Sequence, residues 1–132
     1  MELAGAGLCF HLMLRQMKVL VCEDNPIIAM SLVDFLGDIG HVCIGSADRS
    51  DRALDIANTE TPDLALVDLN LADGWTGPSL VKHFQDNGIL CVVISGQTES
   101  FKEEAMAVRV FDKPVDERAL AKYIESLAAE DG

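Results

Sequence analysis

Residues 64–77 read LALVDLNLADGWTG. Leu64, Ala65, Leu66 and Val67 form a continuous apolar run, the pattern of a strand covered on both faces. Asp68 ends the run, and Asp73, Gly74 and Gly77 make the next stretch turn-rich. A carboxylate at the end of such a run has no packing role, so its position calls for a chemical reason. The run itself calls for a parallel sheet between two layers of helix, which requires strands and helices to alternate along the chain.

Working outward from this stretch, that alternation is found five times. Upstream, Lys18–Cys22 (KVLVC) reads as a buried strand. Asn25 is a good helix cap and Pro26 suits the first helical position. Ile28, Leu32, Phe35, Leu36 and Ile39 then recur at helical spacing, and Gly40 can close the helix. A less apolar strand is expected at 42–47. Ser50 is expected to cap a helix with Ala53, Leu54 and Ala57 on one face, and Pro62 breaks the chain before a strand at 64–68. Downstream, Gly77 and Pro78 open a helix carrying Leu80, Val81 and Phe84. A strand follows at 90–94, then a weaker helix at 97–107 and a short strand at 108–111. Asp116 is expected to cap a last helix with Leu120, Tyr123, Ile124 and Leu127 at good spacing. The first, third and fourth strands are the most apolar and should be central, with the mixed second and fifth at the edges. The expected fold is α/β, a flavodoxin-like doubly wound (βα)5 domain with a five-stranded parallel sheet in the order 2-1-3-4-5. In this arrangement ligands bind at the carboxyl ends of the strands.

The bulk composition fits one such domain. The chain has 132 residues, 49% hydrophobic and 24% charged, which allows a single core. Its formal net charge of −12 argues against duplex DNA, whose binding draws on Lys and Arg, and equally against an anionic membrane surface. Cys9, Cys22, Cys43 and Cys91 include no pair at zinc-site spacing. They read as reduced thiols of a cytoplasmic protein. His11, His41 and His83 are scattered, and surface or core-edge placement is the default for each. Residues 1–16 lack the length of a membrane span and the charge pattern of a signal peptide. They read as an N-terminal extension (a short helix, a tail or a start-site artefact) before a domain at 17–132.

The chemistry gathers at the strand ends. Glu23 and Asp24 follow the first strand, Asp68 the third, Ser95 and Gly96 the fourth, and Lys113-Pro114 the fifth. Carboxylates brought together either protonate or hold a cation. A hard, oxygen-only set suits Mg²⁺. A carboxylate beside Mg²⁺ and a lysine can attack a phosphoryl group and become an aspartyl phosphate. Ser95 and Lys113 can each meet a phosphoryl oxygen, and Gly96 leaves room for the group.

On these five positions the chain, from about Lys18 to Leu127, resembles a response-regulator receiver domain of the CheY-like superfamily, of the stand-alone, single-domain type. The resemblance implies a two-component phosphorelay in which Asp68 is the phosphoacceptor. It implies Mg²⁺ held by Asp24, Asp68 and the Asn70 backbone carbonyl, with Glu23 acting through water. Ser95, Gly96 and Lys113 then stabilise the phosphoryl group, Pro114 is the candidate cis proline, and Asn70 and Gln97 tune the phosphoryl lifetime. The donor implied is a sensor histidine kinase or a histidine phosphotransfer protein. The output is contact with a downstream protein target, relay, or a phosphate sink, without a second substrate to turn over. The stretch DGWTGPSLVK also looks like receivers paired with alphaproteobacterial sensor kinases. Two positions depart from the pattern. The acidic pair is Glu-Asp rather than Asp-Asp. The aromatic switch position, three before the lysine, holds Val110, with Phe111 beside it, so the switch region is expected to work differently, through the weak helix at 97–107.

Two other classes compete. A degenerate receiver serving only as an interaction module requires loss of an essential group, and none is lost. A Mg²⁺-dependent phosphohydrolase of the haloacid-dehalogenase kind, or a Toprim-like nucleic-acid enzyme, calls for Asp-x-Asp. Asp68-Leu69-Asn70 lacks the second Asp. Trp75 reads as loop packing or a partner anchor, and Met106, Val110, Phe111 and Tyr123 as core or as a binding face.

Overall fold

A computed structural model of the chain describes residues 15–96 and 108–130. Five strands, β1 (Lys18–Cys22), β2 (Val42–Ala47), β3 (Leu64–Val67), β4 (Leu90–Ser95) and β5 (Arg109–Asp112), form one sheet in the order β2-β1-β3-β4-β5. Every pairing is parallel. Helices α1 (Pro26–Asp38), α2 (Ser50–Glu60), α3 (Gly77–Asp86) and α4 (Glu117–Glu130) cover it. The expected helix at 97–107, and with it Gln97 and Met106, lies outside the described residues, as do Cys9 and His11.

Strand side chains alternate between faces, and the two cores follow that period. On one face Leu20, Cys22, Ala65, Val67 and Val93 pack with Ala53 and Ala57 of α2 and Leu80, Val81 and Phe84 of α3. On the other, Val19, Val21, Leu64, Leu66 and Ile94 pack with Leu32, Phe35 and Leu36 of α1 and Leu120 and Ile124 of α4. The central strand β3 is buried at all four positions, whereas the edge strand β2 is buried only at Ala47.

Local chemistry explains most boundaries. Asn25 Oδ1 accepts the amides of Ile27 and Ile28, at 2.9 and 3.2 Å, and Pro26 opens α1. Gly40 turns the chain after α1 at φ +91°. Asp116 Oδ1 accepts the Ala119 amide at 3.1 Å ahead of α4. Ser50 departs from expectation. It is the first residue of α2, Arg49 is the cap residue without a side-chain cap bond, and the Ser50 hydroxyl donates to Asp73 at 2.6 Å. Three strands also differ from expectation by one residue: β3 stops at Val67, β4 runs on through Ser95, and β5 is shifted by one to Arg109–Asp112. Asp68 has left the ladder, although its amide still donates to Cys22 O at 2.9 Å.

Candidate functional site

Parallel strands deliver their C-terminal ends to one edge, and four charged side chains meet there. β1 hands on Glu23 and Asp24, β3 hands on Asp68, and the turn after β5 carries Lys113. Carboxylate oxygens of Glu23, Asp24 and Asp68 all lie within 4.8 Å of one another. The Lys113 ammonium stands 2.7 Å from Glu23 Oε1 and 2.8 Å from Asp68 Oδ2. Glu23 and Asp68 are buried, whereas Asp24 is exposed. A groove of about 440 Å³ opens beside the acidic pair, between Met30 and Val33 of α1 and Asp48 and Arg52 on the α2 side.

The electrostatics follow from this crowding. Burial pushes the Glu23 carboxyl above its ordinary range. Lys113 and the Asn25 amide, donating to Oε2 at 3.0 Å, pull against that shift, and Asp68 adds to it. For Lys113 burial works downward, yet the two carboxylates hold its ammonium above the usual lysine value. Three carboxylates face one ammonium, so the cluster keeps an excess of negative charge. Glu23 Oε1 is buried and meets Lys113 as an ion pair without a well-aligned hydrogen bond. Close hard-oxygen donors carrying uncompensated charge fit a divalent cation of the Mg²⁺ kind.

The other expected residues that lie among the described ones are placed as follows. Ser95 is buried at the end of β4, next to β3, and its carbonyl accepts the Lys113 amide at 3.1 Å. Gly96 follows it, exposed, with nothing within 4 Å of where a side chain would begin. The Asn70 amide approaches Asp68 Oδ1 at 3.4 Å. The Lys113–Pro114 peptide is cis. Val110 and Phe111 face opposite ways. Val110 packs with the α2 and α3 side, whereas Phe111 is buried on the α1 and α4 side, 6.2 Å from the Tyr123 ring. The Arg109 guanidinium lies over both rings, at 4.7 Å from Phe111 and 5.2 Å from Tyr123. Cys22 and Cys91 are buried free thiols whose pKa values burial raises, that of Cys91 to about 12, so they act as core residues.

Two residues that the sequence marks only as turn-forming or helix-opening support this edge. A Cβ on Gly77 would stand 2.3 Å from the Asp68 carbonyl oxygen and 2.4 Å from Leu69 Cα. Only glycine lets the start of α3 come this close to the end of β3, where the Gly77 amide donates to Leu69 O at 3.0 Å. Asp73 ties the same loop to the start of α2.

The family model described as the response regulator receiver domain matches residues 19–125. This chain belongs to that family. As a receiver domain it is part of two-component signalling, and its sheet order is the one expected from the strand pattern. Among curated relatives, the phyllosphere-induced regulator PhyR of Methylorubrum extorquens is 41% identical over 61 residues, 46% of this chain and 23% of that protein. The transcriptional regulatory protein PhoP of Escherichia coli is 33% identical over 89 residues, 67% of this chain and 39% of that protein. The receiver therefore spans well under half the length of these relatives. Among solved structures, the receiver domain of PhyR from Erythrobacter litoralis superposes with a TM-score of 0.78 at 27% identity, covering 84% of this chain and 88% of that one. PhyR from Brucella abortus gives 0.75 at 28% identity, covering 88% and 49%. No helix among the described residues is long and apolar enough to cross a membrane.

Proposed function

We propose that this receiver accepts a phosphoryl group on Asp68 from a histidine kinase or a histidine phosphotransfer protein, and signals through contact with other proteins. The observation that carries this reading is the Asp68 carboxylate at the end of β3, 2.8 Å from the Lys113 ammonium and grouped with Glu23 and Asp24.

In the proposed step an Asp68 carboxylate oxygen attacks the phosphorus of a phosphohistidine. A P–O bond forms as the P–N bond breaks, and the imidazole nitrogen leaves with the electron pair and takes up a proton. The Lys113 ammonium, already against Asp68, pairs with a phosphoryl oxygen, and the Ser95 hydroxyl donates to another. Gly96 leaves the space that the group needs. Mg²⁺ is the expected cofactor; Asp24, Asp68 and the Asn70 carbonyl would hold it, with Glu23 acting through water. When bound it supplies charge neutralisation at the phosphoryl oxygens. Asn70 and Gln97 are the positions expected to tune how long the acyl phosphate survives attack by water. The protein works in the cytoplasm and is a regulator rather than an enzyme with a substrate of its own.

Intact-protein mass spectrometry after incubation with a small acyl-phosphate donor tests this. One added phosphoryl group that requires Mg²⁺ supports the proposal. A chain that gains none, and that also fails to bind a stable phosphate mimic in the presence of Mg²⁺, favours a module that only contacts partners.

A further inference from the structure

Helix α2 opens at Ser50, and the preceding Arg49 provides no side-chain cap. The first amides of a helix need acceptors. The acceptor for Ser50 comes from 23 residues further along the chain. Both Asp73 carboxylate oxygens accept the Ser50 amide, each at 3.2 Å, and Oδ2 also accepts the Ser50 hydroxyl at 2.6 Å. Thr76 donates its hydroxyl to Oδ1 at 2.9 Å. Alongside, the Ala72 amide donates to Asp48 O at 2.8 Å, and Leu71 and Gly74 exchange backbone bonds of 2.8 and 2.9 Å. The Ser50 hydroxyl first, then the Ser50 amide and the Thr76 hydroxyl, hold the Asp73 carboxyl down at about 2, so it stays ionised.

The clasp closes the far side of a short loop. The near side is fixed where the Gly77 amide meets Leu69 O at 3.0 Å. Asn70, whose carbonyl is assigned to the metal, lies between these two anchors. Mg²⁺ tolerates little departure from octahedral geometry, so whatever holds this loop also sets how well the Asn70 carbonyl is placed before the ion arrives.

We propose that Asp73 is a positioning residue for the metal centre, acting through its clasp on Ser50 to hold the loop that carries Asn70. This rests on the reading of the Asp68 edge as a Mg²⁺ site. Loss of partners beyond the direct ligands commonly weakens metal binding by about 10–100-fold. Asp73→Ala is therefore expected to weaken Mg²⁺ binding by about tenfold. Ser50→Ala, which removes only the 2.6 Å bond, weakens it less, and Asp73→Asn, which keeps an acceptor oxygen, recovers most of the affinity.

The test is a titration of the full chain with Mg²⁺ alone, without phosphodonor, by calorimetry and by the fluorescence of Trp75. That residue is the only tryptophan, half-exposed and two residues from Asp73. Thermal melts of the same proteins run beside it. The proposal expects the Mg²⁺ midpoint to rise in the order wild type, Asp73→Asn, Ser50→Ala, Asp73→Ala. A lower melting temperature with an unchanged Mg²⁺ midpoint in Asp73→Ala makes Asp73 a structural cap only and overturns the proposal while leaving the metal site standing. Should Asp73→Ala fail to fold, Ser50→Ala decides by the same criterion. Wild-type protein that does not bind Mg²⁺ overturns the metal reading itself, and the positioning role with it.

Discussion

Asp68 and Lys113 are 45 residues apart in sequence, and the lysine ammonium stands 2.8 Å from the aspartate Oδ2. The pair joins the ends of β3 and β5 across the intervening β4. A cation fixed beside the carboxylate is already placed for the charge that a phosphoryl group would bring, so little reorganisation is needed when it arrives.

The same cluster is over-supplied with carboxylates, and this sets a trade between stability and function. Asp24 is exposed, makes no hydrogen bond or ion pair among the described residues, and adds its charge to that of Glu23 and Asp68. Asp24→Asn is expected to stabilise the metal-free protein by about 0.5 kcal/mol and to weaken Mg²⁺ binding. Denaturant melts with and without Mg²⁺ check both halves, and a variant less stable than wild type in the absence of metal contradicts the repulsion argument.

Gly77 makes the opposite case, because there the backbone has no room. A Cβ at 2.3 Å from Asp68 O and 2.4 Å from Leu69 Cα forces α3 away from the end of β3. Gly77→Ala is expected to cost about 3 kcal/mol and to impair phosphoryl transfer even in the folded fraction, since Asp68 itself is displaced. Wild-type stability in urea rules this out.

His41 links stability to pH at the other end of the sheet. Its Nδ1 accepts the Met17 amide at 3.0 Å, a bond that only the unprotonated nitrogen can make. Burial lowers its pKa below 6.5, outweighing the attraction of Glu125. A histidine lowered in the folded state contributes stability that is present above the unfolded value and lost as pH falls through the folded one. The melting temperature should therefore drop from about pH 6.5 downward, and the drop should be shallower in His41→Gln. Parallel profiles for the two proteins over that range count against the assignment.

Thr61 ends α2 in the left-handed region, at φ 49° and ψ 79°, where a β-branched side chain is strained. Thr61→Gly relieves that strain at some cost in unfolded-chain entropy, for an expected net gain of about 0.5 kcal/mol. An unchanged or lower midpoint in thermal unfolding shows that Thr61 makes compensating contacts.

Most of this architecture was legible in the chain because its determinants are local. The runs at 19–22, 64–67 and 91–94 are apolar because they are covered on both faces, and Asn25-Pro26 and Asp116 announce their helices by type and position. Asp68 was visible because a carboxylate closing a buried run has no packing purpose. What sequence reading missed depends on residues distant in the chain. The ordinary capping rule gives the Ser50 hydroxyl to its own helix, yet its partner is Asp73, and no spacing rule connects positions 23 apart. Gly77 reads as a helix opener next to Pro78, and its role against the backbone of Asp68 and Leu69 appears only when α3 is laid against β3. The one-residue shifts at the ends of β3, β4 and β5 arise where the ladder gives way to the site, since apolar patterning does not mark the last backbone bond.

The most direct test of the central claim is to locate the phosphoryl group. After incubation with an acyl-phosphate donor and Mg²⁺, borohydride reduction converts an aspartyl phosphate to homoserine, which peptide mass spectrometry can place in the sequence. The account predicts homoserine at position 68 alone, dependent on Mg²⁺ and absent from the unreacted protein. Homoserine at another aspartate, or none at 68 in a chain that has demonstrably gained a phosphoryl group, contradicts it.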